Sequence, residues 1–381
     1  MRKIARAAAV PFYLQIKDIL RSGIATGRFK ANTPLPDKET LAQELGVSAM
    51  TLRRAMIELS REGVLERVRG RGTFVRGACL PQSRKRTATG NIAVVMPYNE
   101  DEVRLTTFYH RILQGIHSAA GALSFPLTVR KVTTPYANFV AELRMDKSVR
   151  GVVIVGFDRD PLLQELTRLT VPAVLVDSVQ PSTGAAFDEV NHADEDGAYR
   201  AVTALLDLGH RDIGLVLAHA QSPFFHARRV GYVRALESRG IALREERIFH
   251  TGFTSRAAYG CMHQIIQAGN LPTALFCTGD ELALGVMAAA QESGLRVPRD
   301  LSVVGFADTI EFSAPALSTV RIPMEEMGKT AIRVLSERFD APARPLQRII
   351  LPTEWTLRAS CEVPRVSLPA GIPNSTSTFT P

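Results

Sequence analysis

The chain has 381 residues, a length that predicts two or three domains. Its hydrophobic content of 45% is ordinary for a soluble globular protein, and no stretch reaches the roughly 18 apolar residues of a membrane span. Pro11, Gln15 and Lys17 interrupt the short apolar run near the N-terminus, which argues against a secretory segment.

The formal charge of +8 is unevenly distributed along the chain. Residues 1–90 hold 18 Lys/Arg against 7 Asp/Glu and carry a net +11, whereas the rest carries −3. This asymmetry predicts one basic module that faces a polyanion. The four cysteines form neither a CxxC pair nor a metal-ligand spacing, so we expect inert thiols in a reducing cytoplasm and no metal site.

The first 63 residues predict three helices. The first runs from Pro11 to Thr26 and has a broad apolar side. Asp37 can cap the second, and Gly46 ends it, because a left-handed backbone is cheap only for glycine. Ser48 offers the N-cap of the third, so that the second and third helices form a helix-turn-helix.

The third helix predicts an inward apolar stripe and an outward polar face. The stripe consists of Leu52, Ala55, Met56 and Leu59, which leaves Ala49, Met50, Arg53 and Arg54 outside. Two short strands follow at 64–68 and 73–75, joined by the basic tip Arg69-Gly70-Arg71-Gly72. Such a wing can press its backbone against DNA while the third helix enters the major groove. The alternative is an ordinary helix pair with a solvated hairpin; the agreement of turn signals, basic tip and helix order favours DNA binding.

Residues 11–75 resemble the winged helix-turn-helix of the GntR family of bacterial regulators. The motifs are Tyr13-Leu14-Gln15-Ile16, Leu35-Pro36, Leu41-Ala42, Gly46-Val47-Ser48, Thr51-Leu52-Arg53, Glu62-Gly63 and Gly70-Arg71-Gly72-Thr73-Phe74-Val75. In that family an arginine of the second helix, one after the serine of the third, and the wing glycine contact the operator. Glu39 and Ala49 replace both arginines here, so the usual operator sequence is not expected. Thr51, Arg53, Arg71 and Gly72 match the family pattern. We therefore expect a DNA-binding domain at 1–76 that contacts double-stranded operator DNA through these four residues and through Ser48, Met50 and Arg54 at the start and on the outer face of the third helix.

Beyond the wing, composition predicts a linker, an α/β domain and a tail. Residues 77–90 are the linker, in which Arg84-Lys85-Arg86 either touches phosphate or is a solvated tether. Apolar strands alternating with helices then predict parallel sheets covered on both faces, at 92–96, 127–132, 152–155, 174–176, 213–217, 248–250, 274–277 and 303–306. The pattern restarts beyond Gly197, which predicts an effector domain at 91–362 of two doubly wound lobes with a ligand cleft between them. Residues 363–381 are rich in Pro, Ser and Thr and predict a disordered tail.

Residues 91–361 resemble the effector domain of the lactose/galactose-repressor family, itself similar to periplasmic sugar-binding proteins. The motifs are Leu208-Gly209-His210-Arg211, Arg228 with Gly231-Tyr232, Phe276-Cys277 with Asp280, Gly294-Leu295-Arg296-Val297-Pro298 and Leu301-Ser302-Val303-Val304-Gly305-Phe306. Together with the N-terminal domain, this resembles the arabinose-repressor type of hybrid regulator. The resemblance implies a ligand-responsive transcriptional regulator, expected to repress, to form a homodimer, to sense a sugar or sugar derivative and to need no cofactor.

Five residues are candidates for ligand binding. Arg228 aligns with the family arginine that points into the cleft, and its alternative is a surface helix arginine. Asp280 follows a buried strand and could accept from ligand hydroxyls or cap the next helix. Phe253 matches a position where the family stacks an aromatic residue on the ligand, and Phe108 and Tyr109 fit the edge of the same cleft. Core packing is the alternative for all three aromatic residues.

One residue departs from the family pattern, and two other functions have to be weighed for this chain. Ala307 stands where the family often has an aspartate that grips ligand hydroxyls, so one standard sugar contact is missing. A pyridoxal-phosphate enzyme domain would need a lysine for a Schiff base, and beyond Lys147 the chain has only Lys329. A solute receptor is opposed by the basic N-terminal domain and the lack of an export signal. We therefore expect no enzymatic activity, and we assign the histidines no metal-binding or catalytic role.

Overall fold

The computed structural model of this chain describes residues 12–25, 28–29, 33–61, 64–68, 72–75, 90–96, 106–157, 160–218 and 222–364. The chain divides into two compact units, Met1–Thr87 and Ala88–Pro381. Arg71, nearly all of the predicted linker 77–90 and most of the predicted tail 363–381 lie outside the described residues.

The N-terminal unit is a three-helix domain followed by a hairpin, as the sequence predicts. Five aliphatic side chains from its three helices are almost fully buried and form its core: Ile16, Leu20, Leu41, Leu52 and Leu59. The elements are α1 (Phe12–Ala25), α2 (Lys38–Leu45), α3 (Ala49–Arg61), β1 (Leu65–Val68) and β2 (Gly72–Val75), the two strands being antiparallel.

Local hydrogen bonds explain where these helices begin and end. Asp37 Oδ1 accepts from the Thr40 amide at 2.9 Å and caps α2. Gly46 ends that helix with φ of 66°, in the left-handed region. Ser48 Oγ then accepts from the Thr51 amide at 3.2 Å at the start of α3. The predicted caps and the tight turn between the two helices are therefore present.

The first lobe of the C-terminal unit is built on a six-stranded parallel sheet. Its strand order is β13-β7-β6-β5-β3-β4. The strands are β3 (Asn91–Met96), β4 (Leu127–Lys131), β5 (Val149–Val155), β6 (Ala173–Val176), β7 (Asp188–His192) and β13 (Arg348–Leu351). Its helices are α4 (Thr106–Ala122), α5 (Tyr136–Met145), α6 (Asp160–Leu166) and α11 (Met324–Asp340).

Helices α4 and α11 of the first lobe cross in close contact. A Cβ atom added at Gly115 would lie 2.0 Å from the Glu325 carbonyl oxygen, and one added at Gly328 would lie 2.2 Å from that of Ile112. Each helix therefore needs a residue without a side chain where it meets the backbone of the other.

The second lobe has a six-stranded sheet with one antiparallel edge. Its strand order is β14-β12-β11-β10-β8-β9, and β14 runs antiparallel to β12. The strands are β8 (Ile213–Ala218), β9 (Ile248–Thr251), β10 (Ala274–Cys277), β11 (Ser302–Ala307), β12 (Ser318–Arg321) and β14 (Glu354–Thr356). The helices are α7 (Asp194–Asp207), α8 (Pro223–Glu237), α9 (Ser255–Gln267) and α10 (Asp280–Glu292), with a short 3-10 turn at Glu245–Arg247.

The two lobes do not follow each other along the chain as two successive blocks. The chain passes to the second lobe after β7, returns after β12 to form α11 and β13, and crosses again to β14. Two of these crossings lie side by side, since the Ala193 amide donates to the Leu351 carbonyl oxygen at 3.0 Å. The expectation that the pattern simply restarts beyond Gly197 is therefore incomplete.

Strand β7 was not predicted, because its sequence Asp-Glu-Val-Asn-His is largely polar, yet Asp188 is only 1% exposed. Its carboxylate accepts from Arg338 Nη2 at 2.8 Å, from Arg344 Nη2 at 3.0 Å and from the Gln347 amide at 2.8 Å. This ion network ties β7 to the end of α11 and to the segment before β13. Within the described ranges, no helix is both long and apolar enough to cross a membrane.

Candidate functional sites

The exposed face of α3 carries most of the predicted DNA contacts. Met50 is 77% exposed, and Arg53 and Arg54 are exposed beside it. Thr51 is half-buried, and its Oγ1 lies 2.7 Å from Ser48 Oγ. Ser48 and Thr51 thus order the start of the helix that would enter the major groove.

Arg54 and Gly72 have local roles that the sequence did not indicate. The Arg54 guanidinium lies 4.2 Å from the centroid of the Tyr13 ring, a cation–π contact that ties α3 to α1. Gly72 begins β2 with φ of 108°, and no atom lies within 4 Å of a Cβ atom added there. The positive φ therefore favours glycine at position 72. A steric clash is not the reason, because the space beside this residue is open.

In the second unit, Arg228 is buried at the carboxyl ends of the parallel strands, where ligands of doubly wound folds bind. Its Nε donates to Asp194 Oδ1 at 2.7 Å, and its Nη1 donates to the Thr278 carbonyl oxygen at 2.6 Å. Its side chain is only 8% exposed, which excludes a surface helix arginine. The Cζ atom lies 3.9 Å from the centroid of the Phe306 ring.

Asp194 and His192 complete a buried network with Arg228. His192 Nε2 lies 3.0 Å from Asp194 Oδ1, and Arg228 Nη2 lies 3.4 Å from His192 Nε2. Burial raises the pKa of the Asp194 carboxyl, but electrostatic attraction and hydrogen bonds from its neighbours His192 and Arg228 lower it by more, so this pKa lies below its usual value. His192 belongs to β7 of the first lobe and the other two to helices of the second, so the network spans the crossing between the lobes.

Aromatic rings from both lobes surround this network. The ring centroid of His192 lies 6.4 Å from that of Phe108 and 6.5 Å from those of Phe224 and Phe306. His192 Nδ1 is buried, lies 3.7 Å from Asp177 Oδ1 and has no hydrogen-bond partner among the described residues. The site therefore combines apolar ring faces with polar atoms that a ligand can meet.

The other predicted aromatic residues reach the network through neighbouring rings. Tyr109 stands edge-to-face to Phe108 at 5.2 Å and packs closely on Gly156. Phe253 lies 5.4 Å from Phe225, whose ring is 5.1 Å from Arg228 Cζ. Their contact with a ligand stays a prediction.

Asp280 is held entirely within the second lobe. Its Oδ1 accepts from Thr319 Oγ1 at 2.6 Å, and its Oδ2 accepts from the Thr309 amide at 2.7 Å. Burial raises the pKa of Asp280 above its ordinary value, although these hydrogen bonds oppose the rise. These contacts favour a structural role, and ligand binding by Asp280 stays a prediction.

Two further side chains considered in the sequence analysis have structural contacts. His210 Nδ1 lies 2.8 Å from Thr273 Oγ1 and its Nε2 lies 2.9 Å from the Glu362 carbonyl oxygen, which joins a turn to the end of the domain. Lys329 lies half-exposed on α11, 3.7 Å from Glu326. No group of three or more His, Cys, Asp or Glu side chains suited to a metal occurs in the part of the chain that the structure describes.

Comparison with known proteins agrees with this division into two units. Residues 12–75 match the family of bacterial regulatory proteins, gntR family, and residues 202–361 match the periplasmic binding protein-like domain. The HTH-type transcriptional repressor PurR of Erwinia tasmaniensis is 31% identical over 264 residues, which are 68% of this chain and 77% of that protein. The PurR of Pectobacterium carotovorum subsp. carotovorum is also 31% identical, over 61% of this chain and 70% of that protein.

The chain belongs to the PurR-like family of transcriptional regulators. It is a hybrid member, because its DNA-binding domain is of the GntR family. A LacI family regulator from Mycobacterium smegmatis is a similar structure, with a TM-score of 0.62 and 26% identity over 72% of this chain and 100% of that chain. The regulator CelR in complex with cellobiose has a TM-score of 0.65 at 22% identity, over 86% of this chain and 100% of that chain, and shares the fold.

The structure of this hybrid regulator adds residues that sequence analysis missed. His192, Asp194, Phe224 and Phe306 all contact or surround Arg228. A signal was available for two of them, because His192-Ala193-Asp194 places a histidine and a carboxylate two positions apart. Because strand β7 was not predicted, there was no reason in the sequence to place this pair of residues at the cleft.

Proposed function

We propose that this hybrid regulator is a cytoplasmic, homodimeric repressor whose effector is a small polar molecule of the sugar or sugar-derivative class. The observation that carries this proposal is the buried network of His192, Asp194 and Arg228. It joins a side chain of the first lobe to two of the second where the chain crosses between them. A ligand that binds there with different affinity in different lobe arrangements shifts the equilibrium between them.

The residues around the network suit a polar ring-shaped ligand. Arg228 and His192 offer polar atoms for hydroxyl or carboxylate groups. Phe108 and Phe224 are half-buried and offer apolar faces on which a ring can stack, whereas Phe306 is fully buried beneath the Arg228 guanidinium. Ala307 offers no side-chain acceptor, so the effector has to be held chiefly by donors rather than by a carboxylate at that position.

Several observations support the DNA-binding half of the proposal. The face of α3 with Met50, Thr51 and Arg53 is available for the major groove, and the basic excess of the chain lies in residues 1–90. Helix-turn-helix domains commonly bind two DNA half-sites as dimers.

A binding function fits these residues better than an enzymatic one. Lys329 is the only lysine beyond Lys147 and lies on α11 beside Glu325 and Glu326, rather than among the residues around Arg228. This supports a protein that binds its effector without converting it.

The proposal is tested first by a thermal-shift screen against sugars, sugar acids and nucleosides, because a ligand of the folded state raises its stability. Each hit is then added to the complex with an operator selected from random duplex DNA, and affinity is followed by fluorescence anisotropy. Arg228→Lys keeps the charge beside Asp194 but loses the guanidinium fork, so we expect at least tenfold weaker ligand binding. Arg229→Lys, at the half-exposed neighbour that pairs with Glu245, is the matched control.

Two results would refute the proposal. One is a screen in which no compound of these classes stabilises the protein. The other is a ligand that binds Arg228→Lys as tightly as it binds Arg229→Lys. Ala307→Asp adds a chemical test, because a new carboxylate should strengthen binding of a neutral sugar and weaken binding of an acidic one.

A further inference from the structure

A polar cavity of about 380 Å³ lies at the carboxyl ends of β11 and β12. Its wall includes Arg111 of α4 from the first lobe and Asp308, Arg321 and Arg358 from the second. Its volume is within the range of small-molecule sites, roughly 300–1,000 Å³. Among the described residues, the cavity and the network around Arg228 have no side chain in common.

Three guanidinium groups bind Asp308 in this cavity, two through its buried carboxylate and one through its backbone. Asp308 Oδ2 accepts from Arg321 Nε at 2.7 Å, and Asp308 Oδ1 accepts from Arg358 Nη2 at 2.6 Å. Arg111 Nη1 donates to the backbone carbonyl oxygen of Asp308 at 2.9 Å, so it neutralises no charge there. Among the described residues of the inner wall, one carboxylate therefore faces three cationic side chains.

The two other carboxylates paired with these arginines in the described part of the chain are exposed and more distant. Glu311 Oε1 lies 3.9 Å from Arg111 Nη2, with 70% of its side chain exposed. Glu354 Oε2 lies 3.5 Å from Arg321 Nη1 and is 71% exposed. Exposed pairs of this geometry contribute little and are screened by salt, so they leave the inner wall cationic.

The backbone at this cavity is also unusual. Ala307 has φ of 124° and Asp308 has φ of 62°, two consecutive residues other than glycine in a region that L-residues rarely adopt. Such conformations persist where surrounding contacts hold them and are concentrated at ligand sites. The hydrogen bonds from Arg111, Arg321 and Arg358 are the contacts that hold this turn.

We propose that this cavity binds a small doubly charged oxyanion, such as the phosphate or dicarboxylate group of a metabolite, as a second effector. Guanidinium groups match the oxygens of such groups with paired donors. Because Arg111 comes from one lobe and Arg321 and Arg358 from the other, a bound oxyanion stabilises the lobe arrangement that brings them together. The site thus adds an anion response to the regulator, separate from the effector that binds around Arg228.

The test follows thermal unfolding of the full chain by the fluorescence of Trp355, its only tryptophan, at increasing inorganic phosphate. Ionic strength is kept constant with chloride, and malonate replaces phosphate in a parallel series. Phosphate can also bind the basic N-terminal domain, so the measured quantity is the difference between the wild type and Arg111→Gln. Arg333→Gln, on the exposed face of α11 and paired with Glu337, is the matched control.

We expect saturable stabilisation in the wild type and in Arg333→Gln, and an apparent dissociation constant at least tenfold higher in Arg111→Gln, because one charge-assisted donor is lost. Arg321→Gln, which replaces a half-exposed arginine, should show the same loss of affinity. This second variant keeps the test valid if Arg111→Gln fails to fold. The anion with the lower dissociation constant identifies a phosphate or a dicarboxylate as the natural group. The proposal is overturned if phosphate and malonate act no differently from chloride, or if both variants respond like the wild type.

Discussion

Replacing Arg228 by alanine should destabilise the effector unit as well as remove a candidate ligand contact. The variant loses the 2.7 Å hydrogen bond from Nε to Asp194 and the 2.6 Å bond to the Thr278 carbonyl oxygen. It leaves the fully buried Asp194 carboxylate with His192 as its remaining partner in the network. Removing one member of a buried ion pair costs about 3–5 kcal/mol, which corresponds to a fall in Tm on the order of 10 °C.

The size of this loss should depend on pH. In the wild type the pKa of Asp194 is lowered, so its contribution is present above the unfolded pKa and is lost as pH falls through the folded pKa. In Arg228→Ala the burial that raises this pKa remains while the arginine charge is gone, so Asp194 takes up a proton more readily. The Tm difference between wild type and variant should therefore be larger at pH 7.5 than at pH 4.5.

Trp355 makes the assay specific, because the chain has one tryptophan and it lies on β14 of the second unit. Arg229→Ala is the matched control, since Arg229 pairs at 3.1 Å with the largely exposed Glu245 and should contribute about 1 kcal/mol or less. Adding Asp194→Asn to Arg228→Ala should restore part of the loss by removing the unpaired charge. A Tm for Arg228→Ala within about 1 °C of the control would refute this account of the network.

Three further predictions concern DNA binding and the fold. Thr51→Ala, Arg53→Ala and Gly72→Val should each weaken operator binding, measured by anisotropy, and leave ligand binding unchanged, because the effector lies in another unit. We expect a dimer to bind a twofold-symmetric operator. With on the order of six phosphate contacts per dimer, the logarithm of the affinity should fall against the logarithm of the salt concentration with a slope of about −5. Asp188→Asn should lower the unfolding free energy by about 3 kcal/mol, followed by Trp355 fluorescence in denaturant, because Arg338 loses a buried carboxylate partner.

Each of these expectations has a result that would contradict it. Unchanged operator affinity in Gly72→Val would make the wing a structural hairpin. A flat salt dependence, or full affinity for a single half-site, would oppose dimeric binding through phosphate contacts. An Asp188→Asn variant as stable as the wild type would show that the charge of Asp188 contributes nothing to its contacts with Arg338, Arg344 and Gln347.

The parts of the fold that were predicted from sequence are those with local signals. Asp37, Gly46 and Ser48 mark helix ends through their own side chains or backbone freedom, and the structure confirms all three. The continuous apolar run of β3 was predictable for the same reason, because a strand buried on both faces needs apolar residues throughout.

The parts that were missed depend on partners distant in sequence. Strand β7 is buried although it begins with Asp188, because Arg338, 150 positions later, neutralises that carboxylate. Arg228 was predicted from its motif, but its partner Asp194 was not, since 34 positions separate the two. Periodicity within one segment carries no information about such pairs.

The chain crosses between the two lobes three times, and these crossings determine when each lobe can finish folding during synthesis on the ribosome. The first five strands of the first lobe are synthesised by His192, but α11 and β13 emerge only after the whole of the second lobe up to Arg321. Until then the face that α4 presents to Gly328 is uncovered, and a nascent chain shows apolar surface to its surroundings. A polypeptide that stops anywhere between these points leaves both lobes unfinished, so synthesis of this regulator ends in a native effector unit only when β14 has left the ribosome.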